Sequence, residues 1–177
     1  MWVGYLLASP FRKLLQNPKK ILGPYVRPGM KVLDIGCAMG FFSLPLARMV
    51  GSGGKVICVD VQAKMTASLT KRAKKSGLSD RIEARVCPGN SLGMEDLKEK
   101  IDFAIASAVV HEVPDAAAFF SEVYAAMKPG GRVLVAEPRG HVSANDFETT
   151  VSTAEQAGFK VMNRPKMGRS RAVLLGK

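Results

Sequence analysis

From residue 31 onward, short apolar runs alternate with amphipathic stretches, and the last two runs follow one another across a turn too short to hold a helix. The runs are KVLDI (31–35), KVICVD (55–60), RIEARV (81–86), IDFAIASA (101–108), RVLVAE (132–137), FKVMN (159–163) and RAVLLG (171–176). Several are apolar almost throughout, which is how strands buried on both faces read. Between them lie helical patterns at 40–50 and 63–76, the second with Met65, Leu69 and Ala73 on one face and Gly77 as its stop. MEDLKEK (94–100) suggests a short helix. Asp115 can cap a helix whose Phe119, Val123 and Met127 recur every four residues, ended by KPGG (128–131). Ser143 and Asp146 frame a capping box for a helix carrying Phe147, Val151 and Ala154, closed by Gly158. The order predicts an α/β fold, three-layer and doubly wound, on a seven-stranded, mostly parallel sheet. The turn around PKMG cannot make a parallel crossover, so the last strand is expected to run antiparallel.

A chain of 177 residues suits one domain, expected over 1–177 with an N-terminal helical cap at 1–28 and the core at 29–177. No apolar run approaches the roughly 18 residues of a membrane span. The N-terminal MWVGYLLASPFRK has no basic region before its apolar stretch and reads as a poor secretory signal, so a cytoplasmic location is expected. Cys37, Cys58 and Cys87 are odd in number and far apart, with no CxxC pair, and read as buried free thiols. Lys and Arg number 26 against 15 Asp and Glu, a net charge of +11. That excess can attract nucleic acid, anionic lipid or acidic substrates. KRAKK (71–75) is its densest run.

The first strand runs into a carboxylate and a glycine turn, Asp34-Ile-Gly36-Cys-Ala38-Met-Gly40. In sheets of this kind ligands bind at the carboxyl ends of the strands. A dinucleotide fingerprint begun at Gly36 would need glycines at 38 and 41, where Ala38 and Phe41 stand. Asp34 would also repel a pyrophosphate and suits a ligand that carries positive charge.

S-adenosylmethionine (SAM), with its ammonium and sulfonium, is such a ligand. VLDIGCAMGFFSLPLA resembles motif I of the class I SAM-dependent methyltransferases, with Ala38 in place of the family's middle glycine. The resemblance continues through VICVD, IDFAIASAVVHEVPD and MKPGGRVLVAEP, and an antiparallel seventh strand is a further feature of that family. It implies a cofactor site made by Asp34, Gly36, Cys37 and Gly40 in motif I. Asp60 would hold the ribose hydroxyls, with Val61 against adenine. Asn90 and Ser91 occupy the usual Gly-Asp-Ala place near the adenine amino group, with Asn for Asp, and Ser107 ends the motif IV strand.

Methyl transfer is a displacement in which the protein mainly aligns nucleophile, methyl and sulfur. A general base helps when the nucleophile must lose a proton. His111, beyond the fourth strand, is the candidate, and His141 a weaker one. Ser107-Ala-Val-Val lacks the Asn/Asp-Pro-Pro-aromatic motif of amino-group DNA methyltransferases, and Cys87-Pro88 has the wrong order and place for a cytosine-C5 enzyme. Converging cysteines for arsenic chemistry find no family spacing, and no metal is expected. Loops after strands five and six are short, so residues 1–28, with Trp2, Tyr5, Leu6, Phe11, Leu14 and Leu15, are the expected cover for the cleft, as a lid or as plain packing. The expected function is methyl transfer from SAM to a small molecule. The alternatives are an RNA acceptor, suggested by the charge, and a SAM-binding subunit that needs a partner.

Overall fold

The structure, a computed structural model, describes residues 17–177. They fall into two compact units that meet in sequence at Val86 and Cys87. Most of the expected N-terminal cover, including Trp2 and Tyr5, lies outside the described residues.

In the first unit, α1 (Pro18–Leu22) begins where the Asn17 side chain accepts the Lys19 and Lys20 N–H groups. Pro18 starts this helix, since its missing N–H is one the first turn would leave unpaired anyway. Strand β1 (Lys31–Ile35), helix α2 (Ser43–Val50), strand β2 (Lys55–Asp60), helix α3 (Ala63–Lys75) and strand β3 (Ile82–Val86) follow. β1 pairs with β2 and β2 with β3, both parallel. In register, Asp34 lies opposite Cys58 and Asp60 opposite Val86, so both acidic residues sit at strand carboxyl ends. Helix α3 buries Leu69 and Ala73 as expected, with Thr66 in place of Met65, which is half-buried. Thr66 fits because its hydroxyl donates to the Ala63 carbonyl.

The second unit holds β4 (Ile101–Ser107), α4 (Ala116–Ala126), β5 (Met127–Pro138), α5 (Ala144–Gln156), β6 (Lys160–Asn163) and β7 (Ser170–Gly176). β4 and β5 are parallel, while β7 runs antiparallel to both β5 and β6. The complete strand order is β3-β2-β1-β4-β5-β7-β6. Both predicted caps form: Asp115 accepts the Ala118 N–H, and the Ser143 hydroxyl accepts the Asp146 N–H. Phe147, Val151 and Ala154 are the buried residues of α5.

Two local expectations change. Residues 94–100 form only a 3₁₀ turn, Glu95–Leu97, around the buried Leu97. The strand expected from 132 begins at Met127 and passes through KPGG. Ile101 pairs with Met127, yet Phe103 pairs with Arg132, so the residues between bulge outward. Gly130 takes a φ of +77° there, and Lys128 Nζ anchors the bulge on Asp102 Oδ1 at 2.5 Å. Local periodicity cannot register such a bulge, because a neighbouring strand defines it.

Candidate active site

The turn after β1 is built from backbone that ordinary side chains avoid. Gly36, Ala38 and Gly40 have φ values of 68°, 45° and 88°. A Cβ on Gly40 would lie 2.5 Å from Leu69 Cδ1, so α3 packs where a side chain would stand. Ala38 carries its Cβ in the left-handed region, at a cost of roughly 1–2 kcal/mol. A long-range bond compensates: Asp60 Oδ2 accepts the Ala38 N–H at 2.9 Å. Asp60 Oδ1 accepts the Gln62 N–H at 2.9 Å. One carboxylate therefore ties the glycine turn to the end of β2.

Three more contacts fix this turn. The Gly36 and Cys37 N–H groups donate to the Val59 carbonyl at 2.9 and 3.1 Å. Asp34, 3% exposed, accepts the hydroxyl proton of the fully buried Ser43 at 2.5 Å, at the N-terminus of α2 where the helix dipole favours an anion. Arg72 Nη1 donates to the Met39 carbonyl at 2.5 Å. Arg72, read in sequence as part of a basic patch, is thus a brace for the turn, while Lys71, Lys74 and Lys75 stay exposed. Cys37 and Cys58 are both buried and reduced. Hydrogen-bond contact with Cys58, burial and the nearby Asp34 and Asp60 carboxylates push the Cys37 thiol pKa well above the ordinary range.

These residues fit the cofactor that the motif resemblance implies. Each carboxylate oxygen of Asp60 has lone pairs beyond the single N–H it accepts. Val61, next in sequence, is 57% exposed, an apolar surface of the kind a flat ring covers.

The second unit carries the other candidates. Asn90 lies on an exposed turn after β3. Ser91 is occupied in shaping that turn: its hydroxyl donates to Glu122 Oε2 at 3.1 Å and accepts the Gly93 N–H at 3.0 Å. Glu122 Oε2 also accepts the Leu92 N–H at 2.8 Å, so α4 anchors the loop. Ser107 ends β4 and is half-buried. Ala108 follows with a φ of 59°. Glu137, at the end of β5, is 1% exposed and holds the segment that comes next. Its Oε1 accepts the Val109 and Val110 N–H groups at 3.3 and 2.8 Å. Its Oε2 lies 2.5 Å from His111 Nδ1. The His111 side chain is 23% exposed. The His141 ring meets it edge-on, with centroids 6.1 Å apart. Sequence reasoning found His111 and passed over Glu137 as its partner. The available signal was an acidic residue closing an apolar strand, the same signal that marked Asp34.

Comparison with known proteins decides the family. The family described as a methyltransferase domain matches residues 27–168, continuously across both units. The chain belongs to that methyltransferase family. This methyltransferase domain is similar to a SAM-dependent methyltransferase of Aquifex aeolicus, with 26% identity, a TM-score of 0.87, and coverage of 98% of this chain and 96% of the other. It is 31% identical over 134 residues to a ubiquinone biosynthesis O-methyltransferase of Rhodopseudomonas palustris, covering 76% of this chain and 49% of the relative. It is 30% identical over 150 residues to a ribosomal protein L11 methyltransferase of Pelotomaculum thermopropionicum, covering 85% of this chain and 44% of the relative. The methyltransferase spans about half the length of these curated relatives. Its fold is the class I SAM-dependent one, and SAM is the cofactor of the family. Among the described residues no helix is long and apolar enough to cross a membrane, and no group of His, Cys, Asp and Glu could hold a metal ion.

Proposed function

We propose that this chain moves the methyl group of SAM to a small-molecule acceptor whose reacting atom carries a proton, with His111 as general base. The observation that carries this reading is the His111 Nδ1 to Glu137 Oε2 contact of 2.5 Å. Buried Glu137 has its other oxygen committed to two backbone N–H groups. With Nδ1–H donating to Glu137, His111 presents Nε2 as a lone-pair acceptor, and Glu137 fixes the ring. An acceptor without a proton to lose would need no such pair.

SAM, when bound, supplies an electrophilic methyl on a positively charged sulfur. Asp34, Gly36, Cys37, Gly40, Asp60, Val61, Asn90, Ser91 and Ser107 are proposed as its binding residues. A small acceptor is favoured over RNA because no Phe or Tyr is exposed among the described residues to stack on bases. The family match runs unbroken over 27–168, which supports one functional domain.

The test is single-turnover transfer from labelled SAM to a panel of phenols, amines and thiols. His111→Gln is expected to slow transfer by about 10²–10⁴-fold, the usual worth of a general base, with S-adenosylhomocysteine affinity unchanged. Undiminished transfer by His111→Gln would remove the base. Cofactor binding with no methylated acceptor, in the panel or in a cell extract, would favour the partner-dependent subunit.

A further inference from the structure

Five basic residues gather at the end of the second unit where β5 finishes and the β6–β7 connection turns: Arg139, Arg164, Lys166, Arg169 and Arg171. The antiparallel register pairs Glu137 with Arg171 and Pro138 with Ser170, so this turn lies at the same strand end as the His111–Glu137 pair. Two bonds fasten the pieces together. The Arg139 N–H donates to the Arg169 carbonyl at 3.1 Å, and Arg171 Nη1 donates to the Val142 carbonyl at 2.9 Å. The turn at 138–142 is itself closed by the His141 and Val142 N–H groups on the Pro138 carbonyl, both at 3.0 Å. His141 of this turn is the residue whose ring meets His111. The turn at 167–170 is equally tight, with Gly168 at a φ of 54°, buried Met167 beneath it, and the Ser170 N–H on the Met167 carbonyl at 3.0 Å.

The charges on these rigid turns are unequally matched. Arg164 forms a two-pronged pair with Glu148 at 2.7 Å, and Arg171 is spent on a carbonyl. Arg139, Lys166 and Arg169 are exposed and form no ion pair or side-chain hydrogen bond among the described residues. His111 faces Glu137, which is buried and engaged, at Nδ1, and Glu112 at 3.9 Å on the Nε2 side. Uncompensated guanidinium groups on short, hydrogen-bonded turns are pre-organised for planar, two-pronged recognition of carboxylate or phosphate. A solubilising surface needs neither the fixed turns nor the concentration of one sign beside a candidate base.

We propose that Arg139, Lys166 and Arg169 form an anion-binding rim, and that the methyl acceptor carries a carboxylate or phosphate held there while its reacting atom faces His111. This rests on the reading of His111 as the acceptor-side base. Held by its charged end, a small acceptor loses orientational freedom before the reaction, which is the main contribution a methyltransferase makes.

Three probes with one ring and different charge test it: phenyl phosphate, benzoate and phenol, titrated by NMR with and without S-adenosylhomocysteine. Phenyl phosphate or benzoate is expected to bind at least about tenfold tighter than phenol and to shift the His111 and His141 ring signals, an effect that salt weakens. A lead for phenyl phosphate assigns a phosphorylated acceptor, and a lead for benzoate a carboxylate. In Arg139→Gln/Lys166→Gln/Arg169→Gln the lead should vanish, with S-adenosylhomocysteine affinity and Tm unchanged. Equal binding of charged and neutral probes, or a lead that survives in the triple variant, overturns the rim. So does tight binding of a single-stranded RNA oligonucleotide, lost in the triple variant, with no binding of the small anions. Failure of the methyltransferase reading shows separately, as absence of S-adenosylhomocysteine binding, and failure of the His111 reading as undiminished transfer by His111→Gln.

Discussion

Asp60 holds the turn that follows the neighbouring strand: its Oδ2 accepts the Ala38 N–H at 2.9 Å, while its Oδ1 caps the Gln62 N–H. The residue proposed to grip the ribose is therefore also the residue that keeps Ala38 in a left-handed conformation. The two roles predict a compound defect.

Asp60→Ala should cost both binding and stability. Loss of a charge-assisted contact to the ribose should weaken S-adenosylhomocysteine by about 100-fold or more. Two N–H groups lose their acceptor, which should lower stability by about 1–3 kcal/mol. Asp60→Asn keeps one oxygen acceptor and should fall between. Calorimetric titration combined with thermal melts reads both. Full affinity in Asp60→Ala would refute the ribose role.

The Arg72 bond to the Met39 carbonyl separates bracing from charge. Arg72→Ala should raise the S-adenosylhomocysteine Kd by about tenfold, since a hydrogen bond from a charged donor is worth about 1.5–3 kcal/mol. Arg72→Lys should recover only part, because the ammonium lacks the planar fork. Reversing Lys71, Lys74 and Lys75 to glutamate should leave that Kd unchanged. If the lysine reversals weaken binding as much as Arg72→Ala, the effect is one of surface charge.

Much of this was legible along the chain. Apolar periodicity located every strand, and Asp34, Asp60 and the glycine turn stand at the strand ends where the pattern of KVLDI and KVICVD puts them. Hidden from that reading were bonds between residues far apart in sequence: His111 with Glu137 across 26 positions, Arg72 with Met39 across 33, and Ser91 with Glu122 across 31. Periodicity reports which face of an element is buried, whereas these pairs depend on how strands and helices pack. Arg72 was also masked by its neighbours, since one arginine in KRAKK looks like the rest of the run.

Ser43→Ala removes the hydroxyl that donates to Asp34 at 2.5 Å, both groups being buried. A buried carboxylate deprived of one donor should lower stability by about 2 kcal/mol, which for a chain of this size is a fall of roughly 4–8 °C in Tm. Ser43→Thr keeps the donor but adds a methyl group in a closed space, so it tests packing separately. An unchanged Tm for Ser43→Ala would mean that this bond contributes little to holding Asp34.

Cys37 predicts the behaviour of the protein in alkali. Contact with Cys58, burial, and the Asp34 and Asp60 carboxylates raise its pKa far above that of a free thiol. The folded chain therefore keeps the thiol proton, whereas the unfolded chain releases it near pH 8.5. Above that pH the folded state binds more protons, and stability falls as pH rises, by about 1.4 kcal/mol per unit for this one group. Below it, the thiol makes stability no more or less dependent on pH. Urea midpoints between pH 8 and 10.5 should fall more steeply in the natural chain than in Cys37→Ala. Iodoacetamide at pH 8.5 should leave Cys37 unmodified until denaturant is added, because the thiolate is the reactive form. Rapid labelling of Cys37 in the folded chain, or parallel pH slopes in the two proteins, would show that the thiol ionises in place.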